Sequence, residues 1–196
     1  MSLVTAAIRC ELREVVLRDK PAEMIAVSPK ATVPVLQTPD GSVIDESIDI
    51  MRWALATRDP KAWLRPESKT LEDAFALIEA TEAGFKPHLD RYKYPNRYPG
   101  EDAIVHRTAC NEFIDTLESR LNDSSNLFGG EPCIADIAIF PFVRQFANTD
   151  RDWFEASAPR NVQAWLNEHA AGPLFETAMQ KYPQWHRDDP AVFFPE

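Results

Sequence analysis

The sequence is poor in cysteine, glycine and positive charge. Its 196 residues contain three Cys, six Gly and only 21 Lys and Arg against 31 Asp and Glu, so the formal net charge is −10. This charge repels phosphate backbones, and we therefore expect no binding to nucleic acid. No stretch approaches the roughly 20 consecutive apolar residues of a membrane-spanning helix, so we expect no association with a membrane.

The three cysteines, Cys10, Cys110 and Cys133, are odd in number and far apart, and no two of them form a Cys-x-x-Cys pair. This pattern excludes a disulfide-dense scaffold and a cysteine-rich zinc site, and it is typical of a reducing compartment. The four histidines are scattered, without a His-x-x-x-His pair or another spacing typical of metal ligands. We therefore predict a cytoplasmic protein without a metal site.

The first sixty residues alternate short apolar runs with short helical patterns. Residues 11–17 form a β-branched run that predicts a strand, and Pro21 suits the first turn of a brief helix after it. Residues 32–36 and 42–45 flank a Pro-Asp-Gly sequence that favours a turn, so together they predict a β-hairpin. Ser47 is placed to cap a helix over residues 48–57.

The pattern is helical beyond a linker that contains two prolines. One long amphipathic helix is predicted from Leu71 to Leu89, opened by a capping box of Thr70 and Asp73. A second helix is predicted near residues 104–121, a nearly apolar and therefore buried one over 133–147, and two shorter ones before an irregular tail. The predicted organisation is a small α/β domain, a linker and a larger all-helical domain, at residues 1–57, 58–67 and 68–196.

Two segments together resemble the glutathione transferase family. The first is Thr-Val-Pro-Val-Leu at residues 32–36, followed by Pro-Asp-Gly and then by Asp-Glu-Ser at 45–47. The second is Leu-Phe-Gly-Gly at 127–130 with Ile-Ala-Asp-Ile-Ala-Ile-Phe-Pro at 134–141, which is similar to that family's buried helix. The resemblance implies an α/β plus all-α fold, with a thioredoxin-like glutathione-binding domain before the all-helical C-terminal domain. Lys20-Pro21 resembles the omega-type and related bacterial members.

The resemblance implies that Lys20, Val33, Pro34, Glu46 and Ser47 bind glutathione. The Val33–Pro34 bond would be cis, and the Val33 backbone would pair with the cysteinyl backbone of glutathione. Ser47 and the helix N-terminus suit the γ-glutamyl carboxylate, Glu46 suits its ammonium group, and Lys20 would reach the glycyl end. Simpler interpretations stay open, in which Ser47 is only a helix cap, Pro34 is a trans edge proline and the charged residues are ordinary surface charges.

The resemblance also implies a truncated amino terminus, lacking the family's first strand and its catalytic Tyr, Ser or Cys. Residues 3–8 have the pattern expected for the end of the family's first helix. Three explanations are open: a misassigned start or lost residues, a natural short form whose first residues form a substitute strand, or a strand supplied by a partner subunit. The catalytic residue is therefore unknown. Cys10 is a poor candidate because it lies far from any helix N-terminus that would activate it.

Cys133 departs from the resemblance, since the family usually has Ser or Thr at this position. It precedes the predicted buried helix, with Asp136 three residues later as the second member of a capping box. A thiol is a weak acceptor, so we expect this cap to be weaker than one made by a hydroxyl.

The resemblance implies a protein that binds glutathione as co-substrate. In its complete form it would transfer or exchange the glutathione thiol with an unknown small electrophile or mixed disulfide, in the cleft between the two domains. The family usually forms homodimers, so a homodimer is expected here. The alternative is a non-catalytic binding or interaction protein built on the same fold.

Overall fold

The computed structural model describes residues 1–195, which divide into two compact units. Unit 1 combines residues 1–61 with the segment that starts at Pro173, and unit 2 contains residues 62–172. The carboxyl-terminal segment, which the sequence assigned to the all-helical domain, thus packs with the first unit.

The described part of unit 1 contains four short helices and four short strands. Its elements are α1 (Ser2–Thr5), β1 (Cys10–Leu12), α2 (Ala22–Val27), β2 (Leu36–Gln37), β3 (Val43–Ile44), α3 (Ser47–Thr57), α10 (Pro173–Ala178) and β4 (Val192–Phe194). α1 ends where Ala7 adopts φ 53° and the Ile8 amide donates to the Leu3 carbonyl at 2.9 Å, a pairing that satisfies the last carbonyls of a helix. The helix covers only the first part of residues 3–8, which were predicted as the end of a helix, and residues 1–8 do not form a substitute strand.

The strands of unit 1 form two separate antiparallel pairs. β2 pairs with β3 across the predicted turn, in which the Gly41 amide donates to the Thr38 carbonyl at 2.9 Å, so the predicted hairpin is confirmed. The predicted first strand is shorter than expected, because regular pairing ends at Leu12 and only a single bridge joins Val16 to Asp19.

β1 pairs with β4 in the register Cys10–Phe194, Glu11–Phe193 and Leu12–Val192. The tail was predicted to be irregular, and this strand corrects that prediction. Hydrogen bonds from three residues help to hold the preceding segment to residues 13–23: Trp185 N–H donates to the Glu14 carbonyl at 3.0 Å, Gln184 donates to Asp19 at 2.9 Å, and Arg187 donates to Glu23 at 2.6 Å. Backbone pairing and side-chain contacts together keep the tail extended along β1.

Unit 2 is all-helical. Its α-helices are α4 (Leu71–Ala80), α5 (Lys86–Lys93), α6 (Ala103–Leu121), α7 (Ile134–Thr149), α8 (Arg151–Ser157) and α9 (Arg160–Ala171). A π-helical turn, Thr81–Phe85, joins α4 to α5, so the long helix predicted from Leu71 is continuous but changes its hydrogen-bonding period midway. The predicted capping box at its start is present, with Thr70 N–H donating to Asp73 at 2.9 Å and Asp73 N–H donating to Thr70 at 3.1 Å.

The centre of unit 2 is α7, which the sequence predicted as a buried helix. Nine of its 16 residues are buried, and Asp136 among them is fully inaccessible to solvent. The Asp136 carboxylate accepts three N–H groups at 2.9 Å, from the Cys133 backbone, the Leu127 backbone and the Trp165 indole. One side chain thereby caps α7, fixes the loop before it and ties it to α9. The Cys133 sulfur faces the Asp136 amide, which completes the predicted capping box with a weak acceptor.

Candidate functional site

The segment before β2 presents an open stretch of backbone. The Val33–Pro34 peptide bond is cis, as predicted. The Val33 side chain is 44% exposed, and within residues 1–195 its amide and carbonyl make no backbone hydrogen bond. An extended ligand can therefore pair with Val33 without displacing an existing contact.

The start of α3 is a second open feature of unit 1. Glu46 is the residue before the helix and Ser47 is its first residue, so the prediction that Ser47 caps the helix is wrong by one position. Among residues 1–195 no side chain caps this helix, and both Glu46 and Ser47 are exposed. The amides of the first turn point along the helix axis with a partial positive charge, which favours a bound carboxylate.

A cluster of charged and polar side chains surrounds Glu46, and the sequence did not predict it. Lys30 donates to Glu46 at 3.2 Å and to Asp45 at 3.1 Å, while Ser28 donates to the other Asp45 oxygen at 3.2 Å. The hydrogen bond from Lys30 lowers the pKa of Asp45, and the same bond raises the pKa of Lys30. Asp45 lay within the recognised Asp-Glu-Ser sequence, but nothing in the spacing pointed to Ser28 or Lys30.

Lys20 stands apart from the other predicted residues. It is half-buried and lies directly before Pro21, which precedes α2. Within residues 1–195, no hydrogen bond or ion pair joins Lys20 to Val33, Glu46 or Ser47. The structure thus joins Glu46 to a charged cluster and leaves Lys20 without a direct link to it.

None of the three cysteine thiols lies in an activating environment. Burial raises the pKa of Cys10, and it raises the pKa values of Cys110 and Cys133 to about 12. A nucleophilic cysteine needs the opposite shift, since the thiolate is the reactive form. All three cysteines are free, and the catalytic residue stays unassigned.

Residues 1–195 contain no group of three or more His, Cys, Asp or Glu side chains arranged to hold a metal ion. They also contain no helix long and apolar enough to cross a membrane.

Both units match the same protein family. Residues 6–57 match the glutathione S-transferase N-terminal domain, and residues 62–168 match the glutathione S-transferase C-terminal domain. The arrangement is that of a thioredoxin-like domain followed by an all-helical one, which confirms the predicted fold class. The chain belongs to the glutathione S-transferase family. No curated protein matches the sequence significantly.

Solved structures of glutathione transferases share the fold at low sequence identity. BphK, a bacterial member described as a ternary complex, is 19% identical with a TM-score of 0.75 over 91% of this chain and 90% of its own. Poplar glutathione transferase F1 is 18% identical with a TM-score of 0.74 over 91% and 88%. The Gtt2-class enzyme of Vibrio parahaemolyticus is 21% identical with a TM-score of 0.70 over 89% and 87%. At these identities the likeness establishes the fold alone.

Proposed function

We propose that unit 1 binds glutathione through Val33, Pro34, Glu46 and Ser47, with Lys20 at the glycyl end. The observation that carries this proposal is the uncapped start of α3, where exposed Glu46 and Ser47 adjoin free first-turn amides. Family membership supports glutathione as the co-substrate. The γ-glutamyl carboxylate suits the helix N-terminus, and its ammonium group suits the Glu46 carboxylate.

Lys30 competes with the glutathione ammonium group for the Glu46 carboxylate. Glu46 already has a cationic partner at 3.2 Å, so the glutathione ammonium must share or displace it. Both side chains are more than half exposed, which makes their pairing weak and easily exchanged. Asp45 stays within reach of Lys30 and can hold that ammonium when Glu46 turns to the ligand.

The activity that we propose is transfer or exchange of the glutathione thiol with a small electrophile or a mixed disulfide. Lys20-Pro21 is the feature that favours an omega-like preference for thiol exchange. We also propose a cytoplasmic homodimer, supported by the free cysteines and by the expectation for the family.

A non-catalytic glutathione-binding protein is the second candidate. It is favoured by the raised pKa of Cys10, the thiol nearest the amino terminus, because an unactivated thiol cannot replace the family's catalytic residue. This candidate predicts binding of glutathione without turnover.

The test combines binding and turnover on the same preparations. Calorimetric titration with glutathione should show binding by the wild type and at least a tenfold loss in Glu46→Ala. Glu72→Ala, which removes an exposed first-turn glutamate of α4, is the matched control and should bind normally. Absence of binding by the wild type would overturn the site.

Turnover is measured with a chlorinated aromatic and with a glutathione mixed disulfide. Turnover of either by the wild type supports the enzyme. Normal binding of glutathione without turnover of either substrate selects the non-catalytic candidate.

A further inference from the structure

Two histidines that are far apart in the sequence meet within unit 2. His88 lies on α5 and His106 on α6, and their Nδ1 atoms are 2.8 Å apart. The ring centroids are 5.1 Å apart and the ring planes differ by 35°. The two imidazoles therefore face each other through the same nitrogen of each ring.

The far side of His106 fixes where its proton lies. His106 Nε2 is 2.7 Å from Glu101 Oε2, and Arg91 Nε is 2.9 Å from the same oxygen. A carboxylate paired with a guanidinium accepts hydrogen bonds, so His106 Nε2 carries the hydrogen. In the neutral ring the His106 Nδ1 lone pair then points at His88, and the one hydrogen between the rings belongs to His88 Nδ1.

We propose that His88 and His106 form a two-histidine site for a divalent transition-metal ion of the zinc, nickel or copper type. Imidazole nitrogen is a preferred ligand of these ions. With metal–nitrogen distances of about 2.0–2.1 Å and a tetrahedral angle, two ligating nitrogens lie roughly 3.3 Å apart. The two nitrogens must therefore separate by about half an ångström from the observed 2.8 Å, and both rings must turn so that the lone pairs converge on the ion.

The metal ion can bind without a net release or uptake of protons by the two histidines. The hydrogen on His88 Nδ1 moves through solvent to Nε2 of the same ring, which frees the second lone pair for the ion. His106 keeps its hydrogen on Nε2, bonded to Glu101, and already offers Nδ1. Water completes the coordination shell, and 13% exposure of the His106 side chain gives the ion access.

The Glu101–Arg91 pair distinguishes this site from an ordinary histidine contact. A carboxylate that accepts from the outer nitrogen of a ligating histidine orients the ring and raises its basicity. Glu101 has that position, and Arg91 keeps it there, with a second bond from Arg91 Nη1 to the Pro87 carbonyl at 2.9 Å. Glu101 is thus a positioning residue for the proposed site.

The experiment is a calorimetric titration of the full chain with zinc chloride, and separately with nickel chloride, in metal-stripped buffer near neutral pH. We expect about one ion per chain, and a loss of affinity of at least tenfold in His88→Gln and in His106→Gln. His186→Gln, which removes an exposed histidine of unit 1, is the matched control and should bind as the wild type does. Glu101→Gln should weaken binding by about 10–100-fold.

Two further measurements keep the test decisive if a variant folds poorly. Circular dichroism establishes that each variant is folded, and zinc should raise the melting temperature of the wild type and His186→Gln but not of His88→Gln. The electron paramagnetic resonance spectrum of bound copper should show coupling to two nitrogens. No binding by the wild type, or wild-type affinity in folded His88→Gln, would overturn the proposal.

Discussion

Replacing Asp136 by asparagine should destabilise the protein far more than its small chemical change suggests. The side chain keeps its size, but one carboxylate oxygen becomes an NH2 group. Oδ1 accepts from Leu127 and Trp165, and Oδ2 accepts from Cys133, all at 2.9 Å in a fully buried environment. The less unfavourable orientation turns the NH2 group toward Cys133, because the opposite one would confront two donors.

The magnitude follows from these contacts. The Cys133 amide loses its carboxylate acceptor, which costs roughly 1–3 kcal/mol for a buried donor. The two remaining bonds lose their ionic character, and charge-assisted bonds are roughly twice as strong as neutral ones. Relief of the buried charge offsets part of this loss. We therefore expect Asp136→Asn to lower the free energy of unfolding by about 2–4 kcal/mol.

Trp165→Phe isolates one of the three bonds. It removes the indole donor and leaves the carboxylate with two partners, so we expect a loss of about 1.5–3 kcal/mol. In the asparagine background the indole bond is already a weaker, neutral one, so removing the indole there costs less than it does in the wild type. The cost of the double variant should therefore fall below the sum of the two single costs by at least about 1 kcal/mol.

The assay is urea unfolding followed by far-ultraviolet circular dichroism, with linear extrapolation to water. Asp115→Asn, an exposed position on α6, is the control and should change the free energy by no more than about 0.5 kcal/mol. A loss in Asp136→Asn as small as that of the control would refute the reasoning. So would strictly additive effects of the two central substitutions.

Two other predictions concern the same unit. Cys133→Ser should stabilise it by about 0.5–1 kcal/mol, because a hydroxyl accepts the Asp136 amide better than a thiol does; a melting temperature equal to or below that of the wild type would contradict this. Burial lowers the pKa of His169 from its ordinary value of 6.5, so on acidification the unfolded chain takes up a proton before the folded one does. The stability that His169 contributes is therefore fully present above about pH 6.5 and decreases below that pH. Between about pH 7.5 and 5.5 the free energy of unfolding of the wild type should fall relative to that of His169→Gln. Parallel curves of unfolding free energy against pH for the two proteins would count against the lowered pKa.

The features that sequence reasoning found are those set by neighbouring residues. The capping box of Thr70 and Asp73, the hairpin turn at Gly41 and the buried character of α7 each depend on a short pattern. The cap on α3 shows the limit of such patterns, since Ser and Glu at adjacent positions both suit a helix start, and the boundary fell at Glu46.

Sequence reasoning missed the contacts between residues that are far apart in the chain, because no local pattern indicates which distant residues will meet. Lys30 donates a hydrogen bond to Glu46 although the hairpin lies between them in the sequence. His88 contacts His106, which lies on the following α-helix. Spacing rules for metal ligands describe one helix or one loop, so four scattered histidines gave no signal. The pairing of β1 with β4 depends on how the residues between them fold. The composition of neither strand indicates which strand it pairs with.

The pairing of β1 with β4 has a consequence for synthesis. Cys10 and its partner Phe194 emerge from the ribosome about 180 residues apart, which at about 5–20 residues per second is a delay of roughly 10–40 s. The helical unit is a contiguous segment and can fold while translation continues. The edge of β1, by contrast, stays unpaired until residues 192–194 have been synthesised, so in a crowded cell this strand is open to chaperones and to strands of other nascent chains.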